Sequence, residues 1–224
     1  MAEILDRRGN PALGRWLRRV RSVELQKDRE SFRRALIRLG SFLAYEIAAG
    51  LESRAATVTT PLGQAGVVEL AQPPVLATAL RAGLPFLDGM LDVFPDADVM
   101  FFGAARAEGN GPAEDLSMDV KLDYEALVPC HGRDVIFADP MVATGSTVVD
   151  IHNVMTARHL TPRRFIVAGL VGFSGAVERI EAAVPSAEIW FVTCDEELNE
   201  RGYIVPGLGD AGDLCYGEKL EGDA

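Results

Sequence analysis

The chain has 224 residues, of which 48% are hydrophobic, and it carries a formal net charge of −11. This length suits one sizeable core rather than two full domains. The acidic balance argues against nucleic-acid binding, and no run approaches the ~20 apolar residues that a transmembrane helix needs. The N-terminus also lacks an apolar signal core, so we expect a cytoplasmic protein with no membrane partner.

The first 38 residues are basic, with eleven Lys and Arg against five acidic residues. Such a stretch can be an RNA-binding or targeting arm, but the acids interrupt it and a solvated helical face explains it better. We therefore expect an N-terminal arm or extension at 1–28 and a single domain at 29–219. Residues 220–224 are expected to form a frayed tail.

Cysteine and histidine spacing predicts neither a disulfide framework nor a protein metal site. Cys130, Cys194 and Cys215 are far apart in sequence and form no Cys-x-x-Cys pair, so we interpret them as ordinary reduced residues. His131, His152 and His159 lack metal-ligand spacing, and the last two fall on one predicted helix, where a surface position is expected.

The first clear helical pattern runs over 29–49, where apolar residues recur at steps of three and four. They are Phe32, Leu36, Leu39, Leu43 and Ile47. The β-branched stretch 57–60 precedes Pro61-Leu62-Gly63 and predicts a short strand and turn, as in a flap or an edge hairpin.

Strands then alternate with helices along the rest of the chain. Strands are predicted at 75–80, 98–103, 135–138, 165–170 and 189–192, and helices at 85–93, 148–158 and 175–183. Residues 104–117 are rich in Gly, Ala and Glu and predict a mobile arm or loop. This alternation is typical of an α/β fold with a mostly parallel, doubly wound sheet, in which ligands bind beyond the carboxyl ends of the strands. Arg81, Arg106 and Asp139 follow strand ends and are expected to converge there.

The segment 139–147 reads Asp-Pro-Met-Val-Ala-Thr-Gly-Ser-Thr between a predicted strand and a predicted helix. Backbone N–H groups and hydroxyls before the positive end of a helix suit a phosphate. Asp139 would repel that phosphate, so we expect it to accept hydrogen bonds from sugar hydroxyls. The alternative is a simple turn, in which Thr144, Ser146 or Thr147 caps the helix and nothing binds.

A second loop, 202–213, contains four glycines, a proline and two aspartates, with almost no apolar anchor. Its backbone can approach a ligand closely, and exposed N–H and C=O groups suit a planar heterocycle such as a pyrimidine. The alternative is a plain surface turn, but the lack of packing residues favours a ligand-facing loop.

These segments resemble the uracil phosphoribosyltransferases, a family of type I phosphoribosyltransferases. The resemblance runs from about residue 32 to 219 and is carried by 80–84, 139–147, 195–199 and 202–213. It implies the type I fold with a small flap or arm. It also implies transfer of a phosphoribosyl group from 5-phospho-α-D-ribose 1-diphosphate (PRPP) to N1 of uracil, giving UMP and diphosphate. Mg²⁺ is the implied cofactor, held mainly by PRPP.

The resemblance also assigns residues. The implied PRPP-binding residues are Arg81, Arg106, Asp139, Pro140, Met141, Val142, Ala143, Thr144, Gly145, Ser146, Thr147 and Asp210. A hood at 195–215 is expected to bind uracil through Ile204, Gly209, Asp210 and Ala211. Asp139, Asp210 and Arg81 are the candidate catalytic residues. No histidine falls in the matching motifs, so only Asp210 is a candidate base for uracil N1.

The resemblance further implies a homodimer or a larger homo-oligomer, and it leaves open whether GTP or another nucleotide is an effector. The alternative from another class is a non-catalytic or weakly catalytic regulator on the same fold. Such a protein would sense PRPP or a nucleotide and contact RNA through the basic N-terminus. The presence of both ligand loops favours the enzyme.

Overall fold

A seven-stranded sheet forms the centre of the computed structural model, which describes residues 2–106 and 120–219. The strands are β1 (Glu3–Ile4), β2 (Ser53–Thr60), β3 (Gly63–Leu70), β4 (Val75–Leu80), β5 (Asp98–Arg106), β6 (Val120–Ala126), β7 (Asp134–Val142), β8 (Arg164–Phe173), β9 (Ala187–Asp195), β10 (Glu197–Leu198) and β11 (Ile204–Val205). The α-helices are α1 (Pro11–Arg21), α2 (Arg29–Ala48), α3 (Gly83–Leu91), α4 (Ser146–Ala157), α5 (Ser174–Ala183) and α6 (Ala211–Tyr216).

The central sheet is mostly parallel, as predicted. Its strands lie in the order β1-β9-β8-β7-β4-β5-β6, and the β5–β6 pair is antiparallel while the other neighbours are parallel. The carboxyl ends of β7, β4 and β5 therefore meet at one edge.

Helices cover both faces of this sheet. Along β7, Val135 and Phe137 pack in the cluster that contains α4 and α5, whereas Ile136 and Ala138 pack in the cluster that contains α1, α2, α3 and α6. Successive side chains of a strand point to opposite faces, and a strand covered on both faces is apolar throughout. The result is a three-layer α/β/α arrangement with a core on each face of the sheet.

The amphipathic helix predicted at 29–49 is confirmed as α2. Its five predicted core residues are all buried, at no more than 1% exposed. The helix begins after Asp28, whose Oδ1 accepts a hydrogen bond from the Ser31 N–H at 3.1 Å, which is the usual N-cap arrangement. Its other face is charged, and no helix in the two described ranges is both long and apolar enough to cross a membrane.

The described part of the segment expected as an N-terminal arm is built into the domain. β1 pairs in parallel with β9 and so forms an edge of the central sheet. α1 begins with Asn10 as its cap and Pro11 in its first turn, and its buried side chains join the same cluster as those of α2. These side chains are Leu13, Leu17 and Val20.

The predicted strand and turn at 57–63 are confirmed as a hairpin. β2 and β3 pair antiparallel from Ser53↔Leu70 to Thr60↔Gly63 and form a separate two-stranded sheet. β2 begins earlier than predicted. Its residues are mostly exposed on both faces of the hairpin, so the alternation of apolar and polar residues that usually marks a strand is absent from its first half.

Three boundaries differ from the predictions. Ala104–Arg106, placed in a mobile arm by sequence, continue β5; residues 107–117 of that arm and the tail 220–224 lie outside the described residues. β6 was not predicted. β7 continues beyond residue 138 as far as Val142, and α4 begins at Ser146 rather than at residue 148. The loop between β7 and α4 is thus shorter than the sequence suggested.

Candidate active site

Arg81 and Asp139 come from adjacent strands at the carboxyl edge of the sheet. Arg81 directly follows β4, and Asp139 directly follows Ala138, the last residue of β7 that pairs with β4. The partner of Ala138 is Thr78, whose hydroxyl donates a 2.7 Å hydrogen bond to the Ala138 carbonyl. The peptide bond between Leu80 and Arg81 is cis. The predicted convergence of these two strand ends is therefore confirmed.

Arg106 is the last residue of β5, and its backbone pairs with that of Val120 in β6. Its side chain lies outside the described part of the structure. A contact between this guanidinium and PRPP stays a prediction.

Asp139 is half-buried, and its Oδ1 accepts a hydrogen bond from the Met141 N–H at 3.0 Å. Pro140, Met141 and Val142 were predicted in the phosphate loop, but they are strand residues of β7. Met141 pairs with Val171 of β8, so pairing with the neighbouring strand continues on the far side of the proline. The loop proper is 143–145.

The 143–145 loop has the geometry of a helix N-terminus without a side-chain cap. Gly145 occupies the cap position of α4 with φ +78°, a conformation that residues with a Cβ rarely adopt. Thr144 is buried, and its Oγ1 accepts a hydrogen bond from the Ser146 N–H at 3.3 Å. Because glycine has no capping oxygen, the first turn of α4 presents its positive end to the loop. Thr144 therefore caps one N–H of the first turn, as the alternative of a simple turn predicted. Thr147 lies inside the helix and does not cap it.

The second loop starts with a small hairpin. Asn199 Oδ1 accepts hydrogen bonds from the N–H groups of Arg201 and Tyr203, at 3.0 and 2.9 Å, and closes the turn between β10 and β11. The expectation of almost no apolar anchor is wrong, because Ile204 and Leu208 are each 4% exposed and belong to the core. These side chains fix the loop from below.

Residues 209–211 lead into α6. Asp210 Oδ1 accepts a hydrogen bond from the Asp213 N–H at 3.0 Å and caps the helix. Gly209 is exposed with φ +95°, whereas Ala211 is buried with 2% exposed. Since the side chains of Ile204 and Ala211 face the core, any contact that these two residues make with a ligand must use their backbone groups.

Arg81, which follows β4, contacts the second predicted ligand loop and the residues just after it. Its Nη2 donates to Asp213 Oδ1 at 2.8 Å and its Nη1 donates to the Gly217 carbonyl at 3.2 Å. Its buried Nε has no hydrogen-bond partner among the described residues. The guanidinium of the predicted diphosphate-binding arginine is therefore held by α6 of the predicted uracil hood.

The histidines lie away from this edge. His131 comes just before β7, where its Nδ1 lies 2.9 Å from Thr161 Oγ1. His152 packs against Phe165 at the start of β8, with ring centroids 5.2 Å apart, and burial lowers its pKa. His159 is exposed after α4. The predicted surface position is therefore found for His159, which follows α4 rather than lying on it, whereas His152 is partly buried.

Comparison with known proteins assigns the chain to a family. The sequence profile described as uracil phosphoribosyltransferase matches residues 8–218. The chain is 38% identical to the uracil phosphoribosyltransferase of Porphyromonas gingivalis, over 93% of this chain and 94% of that protein. It is also 38% identical to the enzyme of that name from Natronomonas pharaonis, over 86% and 87%.

The chain belongs to the uracil phosphoribosyltransferase family. Among solved structures, the AQ2163 protein of Aquifex aeolicus matches with a TM-score of 0.81 and 31% identity, covering 97% of this chain and 98% of that one. The match of the family profile includes all of α1 and all of α6, so the N-terminal helix and the hood both fall within the length that the uracil phosphoribosyltransferase profile covers.

Sequence reasoning missed several residues that contact the candidate site. Asp213 and Gly217 were not singled out, although they hold Arg81. Arg21 and Gln26 contact the 206–210 part of the hood from the N-terminal segment. The spacing of Asp213 within the glycine-rich string was a usable signal, but no local pattern relates Arg21 to residues more than 170 positions away.

Proposed function

We propose that this protein is a uracil phosphoribosyltransferase that converts uracil and PRPP into UMP and diphosphate in pyrimidine salvage. The observation that carries the proposal is the contact between Arg81 and Asp213, which joins the β4 end of the PRPP segment to the uracil hood. A transferase must hold both substrates against one another, and much of its rate comes from that alignment.

The proposed reaction makes one bond and breaks one. The bond between ribose C1 and the diphosphate oxygen breaks, the bond between C1 and uracil N1 forms, and the N1 proton is released. Positive charge grows on the ribose while negative charge grows on the leaving diphosphate. The task of the protein is to stabilise that separated charge and to align the base.

The proposed residue roles follow this charge pattern. The 143–147 segment binds the 5′-phosphate at the positive end of α4, and Asp139 accepts hydrogen bonds from the ribose hydroxyls. Arg81 binds the diphosphate; it exchanges Asp213 and the Gly217 carbonyl for phosphate oxygens, which also gives its buried Nε an acceptor. A charge-assisted bond of this kind contributes about 1.5–3 kcal/mol.

The hood is proposed to read uracil mainly through backbone groups of Ile204, Gly209 and Ala211. Uracil presents a fixed order of donors and acceptors at its edge, and a site that hydrogen-bonds each of them discriminates strongly against bases that lack one. Asp210 lies at the start of α6 and is the proposed acceptor for the N1 proton.

Magnesium is proposed as the cofactor. The described residues contain no group of three or more His, Cys, Asp or Glu side chains that could hold a metal ion, while Asp139 and Asp210 offer single carboxylates at the site. Mg²⁺ commonly binds through one or two carboxylates and substrate phosphates, so this donor set fits an ion that PRPP carries. When bound, Mg²⁺ neutralises charge on the diphosphate.

The deciding experiment is UMP formation from uracil, PRPP and Mg²⁺, with cytosine, hypoxanthine and orotate as competing bases. Formation of a nucleotide from uracil but from none of the other three bases supports the proposal. Binding of PRPP by calorimetry without turnover of any base points to a missing activator or to the sensing regulator; no turnover in the presence of GTP as well would contradict the proposal and favour the regulator.

The role of Asp210 is tested by two substitutions. Asp210→Asn retains an oxygen that can cap α6 and removes only the charge, whereas Asp210→Ala removes both. Equal, large losses of kcat in the two variants, with unchanged helix stability in Asp210→Asn, support a role in proton acceptance. Full activity in Asp210→Asn would contradict it.

A cytoplasmic location, a homodimer or larger assembly, and an effector nucleotide such as GTP are further proposals that come with the family. The last two are measured on the same protein, by light scattering and by assays with and without GTP.

A further inference from the structure

We propose that Arg21 and Gln26, which the N-terminal segment contributes, are positioning residues for the uracil-reading loop. This inference rests on the proposed function of that loop and assigns a role to a segment outside its motifs. Both residues contact the 206–210 turn, which joins β11 to α6 and contains Gly209 and Asp210, two of the residues proposed to bind uracil.

The centre of the contact is a partly buried, bidentate ion pair. Arg21 is at the end of α1 and Asp195 is at the end of β9. The two Arg21 Nη atoms donate to the two Asp195 carboxylate oxygens at 2.9 and 2.8 Å, and the side chains are 22% and 9% exposed. A planar guanidinium forms two parallel hydrogen bonds with a carboxylate, and these fix its orientation. The ammonium group of lysine cannot form the same pair of bonds.

This pair holds both backbone polar groups of Gly207. The Gly207 N–H donates to Asp195 Oδ2 at 3.0 Å, and its carbonyl accepts from Arg21 Nη1 at 3.3 Å. Gly207 has φ +53°, and a Cβ there would lie 2.1 Å from the Ile204 carbonyl oxygen. The loop therefore passes through one defined conformation at this residue.

Gln26 fixes the next carbonyl. Its Nε2 donates to the Leu208 carbonyl at 2.8 Å, and the Gln26 residue is 9% exposed. Gln26 is in the connection between α1 and α2, so the N-terminal segment contacts the turn at two successive residues. Gly209 is the next residue after these two.

A third set of contacts orients Arg21 itself. Its Nη2 also donates to Thr193 Oγ1 at 3.1 Å, and that hydroxyl donates to Asp6 in the short 3₁₀ helix Asp6–Arg8. The hydrogen bonds thus form a chain from Asp6 through Thr193 and Arg21 to Asp195 and Gly207. An arginine with this many partners has little rotamer freedom, which is what a positioning residue requires.

These contacts occupy the N–H and carbonyl of Gly207 and the carbonyl of Leu208. Uracil is therefore expected to bind to the neighbouring residues. If the turn loosens, the backbone donors and acceptors at 209 and 211 lose their fixed spacing. The expected result is weaker binding of uracil with little change in the binding of PRPP, whose proposed contacts come from β4, β7 and α4.

The test compares Arg21→Lys and Gln26→Met with Arg164→Lys as the matched control. Arg164 also forms a bidentate ion pair, with the carboxylate of Glu188, and both of its hydrogen bonds are 2.6 Å long. It lies at the first residue of β8, at the opposite edge of the sheet. A purely structural role would make all three variants alike.

The first readout is steady-state kinetics. We expect the KM for uracil to rise about tenfold in Arg21→Lys, as lost hydrogen bonds of a charged pair imply, with the KM for PRPP within about twofold. Gln26→Met is expected to raise the KM for uracil about threefold, and Arg164→Lys to leave it unchanged. An unchanged KM for uracil in both Arg21→Lys and Gln26→Met would overturn the inference. If Arg21→Lys does not fold, the KM for uracil of Gln26→Met alone decides whether the inference stands.

The second readout does not depend on the reaction. Hydrogen exchange of peptides covering 202–213, without ligand, should speed up in Arg21→Lys and Gln26→Met but not in Arg164→Lys. If the unmodified protein forms no UMP, the proposed function fails while exchange still tests the contact. Exchange in 202–213 that is the same in all the proteins would overturn the positioning role.

Discussion

At the scale of single residues, Asp139 connects the sheet to the proposed chemistry. Its carboxylate is half-buried at the end of the β4–β7 pairing, where one oxygen already accepts the Met141 N–H. An asparagine can keep that backbone contact through its carbonyl oxygen, but it loses the charge. Asp139→Asn therefore separates the structural contact from the proposed contacts with ribose.

We expect Asp139→Asn to lower kcat/KM for PRPP by about 10- to 100-fold, the size of a lost hydrogen bond to a charged group. The measurement is UMP formation at varied PRPP, beside Asp96→Asn, which changes an exposed aspartate before β5. The control should stay within about twofold. Equal kinetics in the two variants would remove Asp139 from the site.

The cysteine thiols are a second residue-level case, because burial controls their ionisation. Burial, with a smaller effect of Glu196, raises the pKa of Cys194 to about 11. Burial raises the pKa of Cys215 to about 12, although the nearby Arg33 and Arg81 act in the opposite direction. At pH 8 the thiolate fraction is then about one in a thousand for Cys194 and about tenfold less for Cys215.

We therefore expect iodoacetamide to alkylate both residues slowly in the folded protein at pH 8. Alkylation should be fast in urea and should accelerate in the folded protein as the pH rises towards 10, since the thiolate is the reactive form. Mass spectrometry of the cysteine-containing peptides gives each rate. Rapid labelling of Cys215 in the folded protein would contradict the burial of its thiol.

At the scale of elements, strong periodicity was readable from the sequence and pairing between distant strands was not. α2 and the buried parallel strands were predicted because their apolar patterns repeat. The start of α1 had a usable signal in Asn10-Pro11, a capping residue followed by proline. β6 also had one, since Val120-Lys121-Leu122-Asp123-Tyr124 alternates apolar and polar residues, as an edge strand does.

The end of β7 shows what sequence could not supply. Pro140 lacks an N–H and argues against a continuing strand, yet the pairing of Met141 with β8 carries the strand on to Val142. The candidate site was predictable where its residues lie in one segment. The contacts of Arg81 with α6 and of Arg21 with the hood depend on packing that brings separate elements together.

The N-terminal helix gives an element-level prediction. Trp16 of α1 and Trp190 of β9 are the two tryptophans of the chain, and both pack against the same core cluster. Because α1 shares its core with α2 and the sheet, urea unfolding followed by Trp16 alone, in Trp190→Phe, should coincide with unfolding followed by Trp190 alone, in Trp16→Phe.

Leu13→Ala should shift both transitions together and lower the free energy of unfolding by about 2–4 kcal/mol, because Leu13 is buried. Leu62→Ala removes the same atoms from a fully exposed residue of the β2–β3 turn and should have little effect. An earlier transition at Trp16 would mean that α1 unfolds independently, as an arm would.

At the scale of the whole molecule, the carboxyl ends and the amino ends of the parallel strands have different roles. The carboxyl edge holds the proposed substrate contacts, and the amino edge holds ion pairs that tie strands together. There Arg163 binds Asp134 through two hydrogen bonds, at 2.9 and 2.7 Å, and Arg164 binds Glu188. Substitutions at the amino edge should therefore change stability and its pH dependence without changing substrate affinity.

Glu188 provides the pH test. The hydrogen bonds from Arg164 hold the pKa of Glu188 below its ordinary value of 4.5, although partial burial opposes them. A carboxylate with a lowered pKa stabilises the folded state above its unfolded pKa and loses that contribution as the pH falls through its folded pKa. Glu188→Gln should thus lower the free energy of unfolding at pH 7, by about 0.5–1 kcal/mol for a partly exposed pair.

The difference between the unmodified protein and Glu188→Gln should shrink as the pH falls below about 4.5, because protonated glutamic acid and glutamine are both neutral. Urea midpoints at pH 7, 5.5 and 4 measure it, with Glu69→Gln on the exposed β2–β3 hairpin as the control. Kinetic constants of Glu188→Gln at pH 7 should match those of the unmodified protein. A stability difference that grew towards pH 4, or a changed KM for either substrate, would contradict the division of the sheet into a stabilising edge and a substrate-binding edge.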